Sequence, residues 1–117
     1  MSKRTLSLCL LIVIFTGLNG QLSKHNKWSF MEADYYCLTE EYPKALSQYE
    51  NLLEADPDNG NLNFLCGYCC SKIPGSNAEA IAYLEIAVES VDLDYRQGSY
   101  KETDAPPAAY LMLGKSY

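Results

Sequence analysis

Two stretches of this chain carry the same helical stripe about one-third of the chain apart, and that recurrence limits the folds open to it. From Tyr42 the apolar positions Tyr42, Ala45, Leu46, Tyr49, Leu52 and Leu53 follow i, i+3, i+4, i+7 spacing, with Lys44, Gln48, Glu50 and Glu54 facing away. Ala80, Ile81, Leu84, Ala87 and Val88 then repeat Ala45, Leu46, Tyr49, Leu52 and Leu53 at a shift of 35 residues. Upstream of each stripe lies a further helical stretch, "KWSFMEADYYCLTE" and "LNFLCGYCCSKI", in which Ala33 and Tyr36 match Gly67 and Cys70 at a shift of 34. The two shifts differ by one because the "SKIPGSN" connection is one residue longer than its counterpart. Pro43 suits a first helical turn, where its missing N–H costs nothing. "ADPDNG" closes the first unit with turn chemistry, and Ser76 with Glu79 reads as a capping box at the start of the second stripe. The fold class is therefore all-α, a tandem of helix–turn–helix units.

A period near 34 residues with paired helices resembles a tetratricopeptide array. Ala33 and Tyr36 on the first helix, Ala45, Tyr49 and Leu52 on the second, and Pro57 at the close carry the resemblance in the first unit. Cys66, Gly67 and Cys70, then Ala80, Leu84 and Ala87, carry it in the second; after Pro106 and Pro107 a third unit supplies Tyr110, Leu113, Gly114 and Tyr117. The small residues at 33, 67 and 114 are expected where helices approach closely. Glu32 and Asn63 depart from the pattern, which prefers leucine and an aromatic there, and "ESVDLDYRQGSYKETDAPP" is longer than a regular repeat allows. The resemblance implies a solenoid domain over 21–117, with units at about 26–59 and 60–106 and a truncated one at 107–117. Each unit leaves an apolar face that only a neighbour covers, so the chain is expected to be the front of a longer protein.

The N-terminus reads differently. Lys3 and Arg4 precede the apolar run "TLSLCLLIVIFTGL", and small residues follow before the sequence turns polar at Gln21, the pattern of a cleaved signal peptide over 1–20. The run is short against the ~20 residues that a spanning helix needs, and an uncleaved anchor is the alternative. Removing Lys3 and Arg4 leaves seven of nine basic residues against fifteen acidic ones, a formal charge of −8. That field disfavours nucleic acid and direct binding to anionic lipid by the mature repeats.

Four cysteines remain, three of them as Cys66-x-x-Cys69-Cys70. Cys66 and Cys70, four apart, share a helix face, and free cysteine behaves as a small buried hydrophobe, so packing is the favoured reading. A zinc site needs further ligands at a workable spacing, which Cys37 and the lone His25 do not supply. A thioredoxin-like pair belongs at a helix start, whereas Asn61 to Leu65 already precede this one in the helix. A disulfide within an exported compartment stays open. A thiol, metal-binding or redox protein using Cys66, Cys69 and Cys70 is the second reading. One flanking histidine supports no nucleophilic triad, and "PGSNAE" lacks the glycines and lysine of a phosphate loop. No catalytic residue, cofactor or metal ligand is assigned.

Tetratricopeptide arrays hold extended peptides or partner helices on a wall built by the first helix of each unit. The resemblance carries that role to Lys27, Phe30, Asp34 and Cys37, and then to Asn61, Phe64, Tyr68, Ser71 and Lys72. Residues 31–117, and above all "YRQGSYKETDAPPAAYLMLGKSY", also resemble the N-terminal repeat region of bacterial OmpA-family envelope proteins. In that family a WD-type β-propeller and a peptidoglycan-gripping OmpA-like domain follow, so any peptidoglycan contact would need a downstream domain beyond these residues. The resemblance implies a non-catalytic interaction module in the periplasm or at the outer membrane, in a peptidoglycan-associated or secretion-related assembly, binding a protein or peptide partner.

Overall fold

The computed structural model describes residues 26–117. The signal-peptide expectation over 1–20 and His25 lie outside the described residues. The described chain is all-helical, with α1 over 26–38, α2 Tyr42–Ala55, α3 Gly60–Lys72, α4 Asn77–Ala87 and α5 Ala108–Ser116. Among the described residues there is no strand beyond an isolated bridge between Val91 and Ala105, and no helix is long and apolar enough to cross a membrane.

The turns show why the chain doubles back where it does. At the end of α1 the Glu41 N–H reaches the Tyr36 carbonyl at 2.8 Å and the Glu40 N–H reaches Cys37 at 3.1 Å. That is a Schellman closure, and it holds Glu40 at φ 60°, a left-handed conformation that glycine usually fills. Pro43 stands in the first turn of α2. Between α2 and α3, the Asn59 side chain accepts from the Leu62 N–H at 3.0 Å and caps α3. The buried Asn63 amide donates back to the carbonyls of Pro57 and Asn59 at 3.0 and 2.9 Å. A polar residue where the repeat pattern prefers an aromatic thus ties its own turn. The expected capping box at α4 does not form. Ser76 makes no side-chain cap, because its ψ of 21° departs from the extended backbone that Asn59 uses, at ψ 111°, to aim its side chain at the helix.

Neighbouring helices pack antiparallel. Ala45 and Tyr49 of α2 lie buried with Phe30 and Ala33 of α1 and with Leu62, Cys66 and Cys69 of α3. The second stripe does likewise through Ala80, Leu84 and Ala87. Helices α4 and α5 are clasped at both ends, Asn77 donating to the Ser116 carbonyl at 2.7 Å and the Tyr110 hydroxyl to Val88 at 3.2 Å.

The long segment between α4 and α5 is folded against α3. Its ends are pinched together by Ala105 N–H to Ser90 at 2.7 Å and Asp92 N–H to Ala105 at 3.0 Å. Between them, the Thr103 carbonyl takes the Gly60 N–H at 2.8 Å, satisfying a donor that the start of a helix leaves free. Gly60 is required here: a Cβ would strike the Ser90 hydroxyl and sit 3.1 Å from the backbone of Ser90 and Ala105.

The three small residues expected at close approaches divide. Ala33 is fully buried, and a Cβ on Gly67 would come within 2.7 Å of Leu84 Cγ. Gly114 meets nothing within 4 Å among the described residues. The contrast is measurable. Gly67→Ala should lose about 1–2 kcal/mol, overpacking outweighing the helix propensity that alanine gains. Gly114→Ala should gain about 0.5 kcal/mol. Urea midpoints of the two variants check this, and stabilisation by both would refute a tight α3–α4 seam.

Candidate functional site

A cleft of about 450 Å³ opens between α1, α3, the long connection and α5. Phe30, Asp34 and Cys37 of α1 line one side, and Phe64 and Tyr68 of α3 another. Tyr95, Gln97 and Gly98 of the connection close it, with Pro106, Ala108 and Met112 toward α5. A second hollow of about 350 Å³ shares Tyr68, Ala108 and Met112 and adds Ser71, Lys72 and Lys115. The two form one track across the face of α3.

Seven of the nine residues expected to bind a partner border this track, five in the cleft and two in the hollow. The other two do not. Asn61 is 1% exposed, because the Tyr95 hydroxyl donates to its Oδ1 at 2.6 Å and the connection lies over it. Lys27 lines neither; its Nζ stands 5.7 Å from the centre of the Tyr100 ring, drawn to that aromatic face. Phe30 is 4% exposed and packs edge-on against Tyr49 with ring centres 5.8 Å apart, so it forms floor more than rim. Phe64 meets Tyr95 edge-on at 6.5 Å. Among the residues that sequence reasoning missed are Tyr95, Gln97, Pro106, Met112 and Lys115. An aromatic in the over-long connection was the one available signal.

The electrostatics of the track run from negative to positive. Asp34 is the charged side chain bordering the cleft. Burial pushes the Tyr49 phenol well up, with the Cys37 thiolate and then Asp34 adding to it. Burial likewise raises Tyr95 from 10.0 to about 12, followed by Glu102 and Asp34. At the other end Lys72 and Lys115 border the hollow, with Lys72 Nζ 5.6 Å from the centre of the Tyr68 ring.

The four cysteines among the described residues are free thiols. Cys66 and Cys70 are buried in the helix seam, where burial raises both thiols, Cys70 to about 11 with Glu50 and Glu79 adding. Cys69 is fully buried, but its sulfur lies 3.6 Å from that of half-buried Cys37 on α1. The hydrogen bond from Cys69 lowers the Cys37 thiol and raises its own. The thiols of Cys66, Cys69 and Cys70 do not gather as a ligand set. Among the described residues such atoms meet at Asp92, Glu102 and Asp104, within 4.8 Å of one another. Those carboxylates mostly serve the loop: Asp92 accepts from the Asp94 N–H, and Glu102 from those of Arg96 and Asp104.

Tyr95 is therefore the residue that fixes the cleft's outer wall. Tyr95→Phe should cost about 1–3 kcal/mol, since it leaves the buried Asn61 amide, whose Nδ2 already lacks a partner, with an unpaired oxygen as well. The raised phenol sets the sign of the pH response. The unfolded phenol loses its proton near 10.0 while the folded one holds it to about 12, so stability falls as pH rises across that window. Chemical denaturation between those pH values should show a shallower fall in Tyr95→Phe than in the parent, by the share of one proton.

No family model matches this chain, nor does any curated protein or solved structure.

Proposed function

We propose that this chain is a tetratricopeptide-type interaction module of an exported envelope protein, binding a partner segment along the track and performing no chemistry of its own. The repeat reading is supported by the recurrence near 34 residues within this chain and by the helical hairpins that coincide with it. The export reading is supported by the basic start and apolar run at residues 3–18. The likeness of residues 31–117 to the repeat region of OmpA-family envelope proteins supports a place in the periplasm, in an assembly whose peptidoglycan contacts belong to other domains.

The observation that carries the proposal is the charge gradient along an aromatic cleft. An extended peptide places a cationic side chain beside Asp34, where the rings of Phe64, Tyr68 and Tyr95 add their own attraction for a cation. An apolar side chain follows over Tyr68 and Met112, and an acidic one lies near Lys72 and Lys115. Aromatic walls of this kind are where binding energy concentrates at interfaces.

Selection from a display library of random peptides tests it. Peptides that bind should carry Lys or Arg ahead of an apolar residue and Asp or Glu after it, or the reverse order along the chain. Asp34→Lys should weaken them at least 10-fold and shift a fresh selection toward acidic residues. The double variant Phe64→Ala, Tyr68→Ala should lose at least 100-fold while far-UV helicity survives. Selected peptides that bind that double variant unchanged would exclude the track.

A further inference from the structure

We propose that Cys37 and Cys69 are a paired redox site, in which oxidation by a small-molecule disulfide joins α1 covalently to α3. The pairing is not the one that sequence proximity suggests. Cys69 has Cys66 and Cys70 as close neighbours in the same helix, yet the sulfur in contact with it, at 3.6 Å, comes from 32 residues upstream. A disulfide bond is about 2.05 Å long, so the remaining gap is about 1.5 Å, the scale of a side-chain rotation. The four thiols also differ in access. Cys37 borders the cleft and meets solvent there, whereas Cys66, Cys69 and Cys70 are buried.

That asymmetry orders the chemistry. Cys37 is the attacking thiol because it is the one that meets solvent; once it is a thiolate, the Cys69 S–H 3.6 Å away can donate to it and lower its pKa. The thiolate attacks one sulfur of the incoming disulfide, forming a Cys37 mixed disulfide and expelling one thiolate, which is protonated. Cys69, held against Cys37, then attacks the Cys37 sulfur, and its proton passes to the small-molecule thiolate that this attack expels. The second small-molecule thiol leaves. Two protein thiols have lost two electrons and two protons, and one disulfide has become two thiols. Cys66 and Cys70 take no part, since neither is reached from the cleft. The site goes beyond the peptide-binding reading and does not rest on it. Its sulfur borders the same cleft, so oxidation would also alter that wall.

The full chain carrying Cys9→Ser, whose remaining thiols are the four described ones, is reduced and then exposed to hydroxyethyl disulfide, and intact mass with peptide mapping tests the pair. The parent should lose two hydrogens and map a Cys37–Cys69 cross-link, with far-UV helicity unchanged. Cys69→Ala should instead retain one hydroxyethylthio group on Cys37. Cys37→Ala should leave Cys69 unmodified while the fold is intact. A cross-link mapped to any other pair would overturn the proposal, as would loss of helicity when Cys37–Cys69 forms. Parent protein whose Cys37 stays reduced at an oxidant concentration that oxidises a reference dithiol would overturn it too. Because the parent's map is read directly, the outcome does not depend on either variant folding.

Discussion

The packing of α3 against nearly all the other elements is the constraint from which the rest of the molecule follows. Helices α2, α4 and α5 all pack on it, α1 reaches it through Cys37 and Phe30, and the long connection lies across its first turn. The first turns of α3 are enclosed and leave little outer face for polar groups, yet they contain Asn61 and Asn63, both almost fully buried. Each is tolerated because a specific bond was found for it. Asn63 donates to the turn before the helix and Asn61 accepts from Tyr95. The remaining side chains on α3 are small where neighbours come close: Gly60 under the connection, Gly67 against Leu84, and cysteines between α1, α2 and α4. Cysteine fills these places as a compact apolar group.

The helices were readable because their apolar residues are periodic and their ends are punctuated. Tyr42 to Leu53 and Ala80 to Val88 mark α2 and α4 with no need of tertiary information, and Pro43 and the Asn59 turn mark the boundaries. Features that depend on how two distant segments meet were not readable. Ser76 and Asn59 both sit before a helix with cap-forming chemistry, and only the backbone angle at each decides which one caps. Gly114 occupies a period-matched position but meets open space among the described residues, since a repeat pattern reports spacing and not whether a neighbour is present.

The candidate site divides along the same line. Phe30, Asp34, Phe64 and Tyr68 were named through the tetratricopeptide resemblance, which carries groove positions over residue by residue, and they border the cleft. Asn61 was misplaced for a different reason. The connection that covers it has no periodicity to follow, and its path is fixed by single hydrogen bonds to Thr103 and Tyr95. The sulfur contact between Cys37 and Cys69 is hidden in the same way. It depends on the rotation of α1 about its own axis, which a period counted in whole residues does not resolve.

The bridge between Val91 and Ala105 has a further consequence. By clamping the two ends of the connection beside each other, it makes residues 92–104 a closed excursion whose length is decoupled from the spacing of α4 and α5. Lengthening a closed loop costs little, because closure entropy grows only with the logarithm of its size. The excursion carries Gln97 and Gly98, so insertions or exchanges beside them that keep Tyr95 and Thr103 on α3 would reshape one bank of the cleft while sparing the helical frame. The shape of that bank is thus set by a single ribbon whose sequence the helices constrain at only a few points.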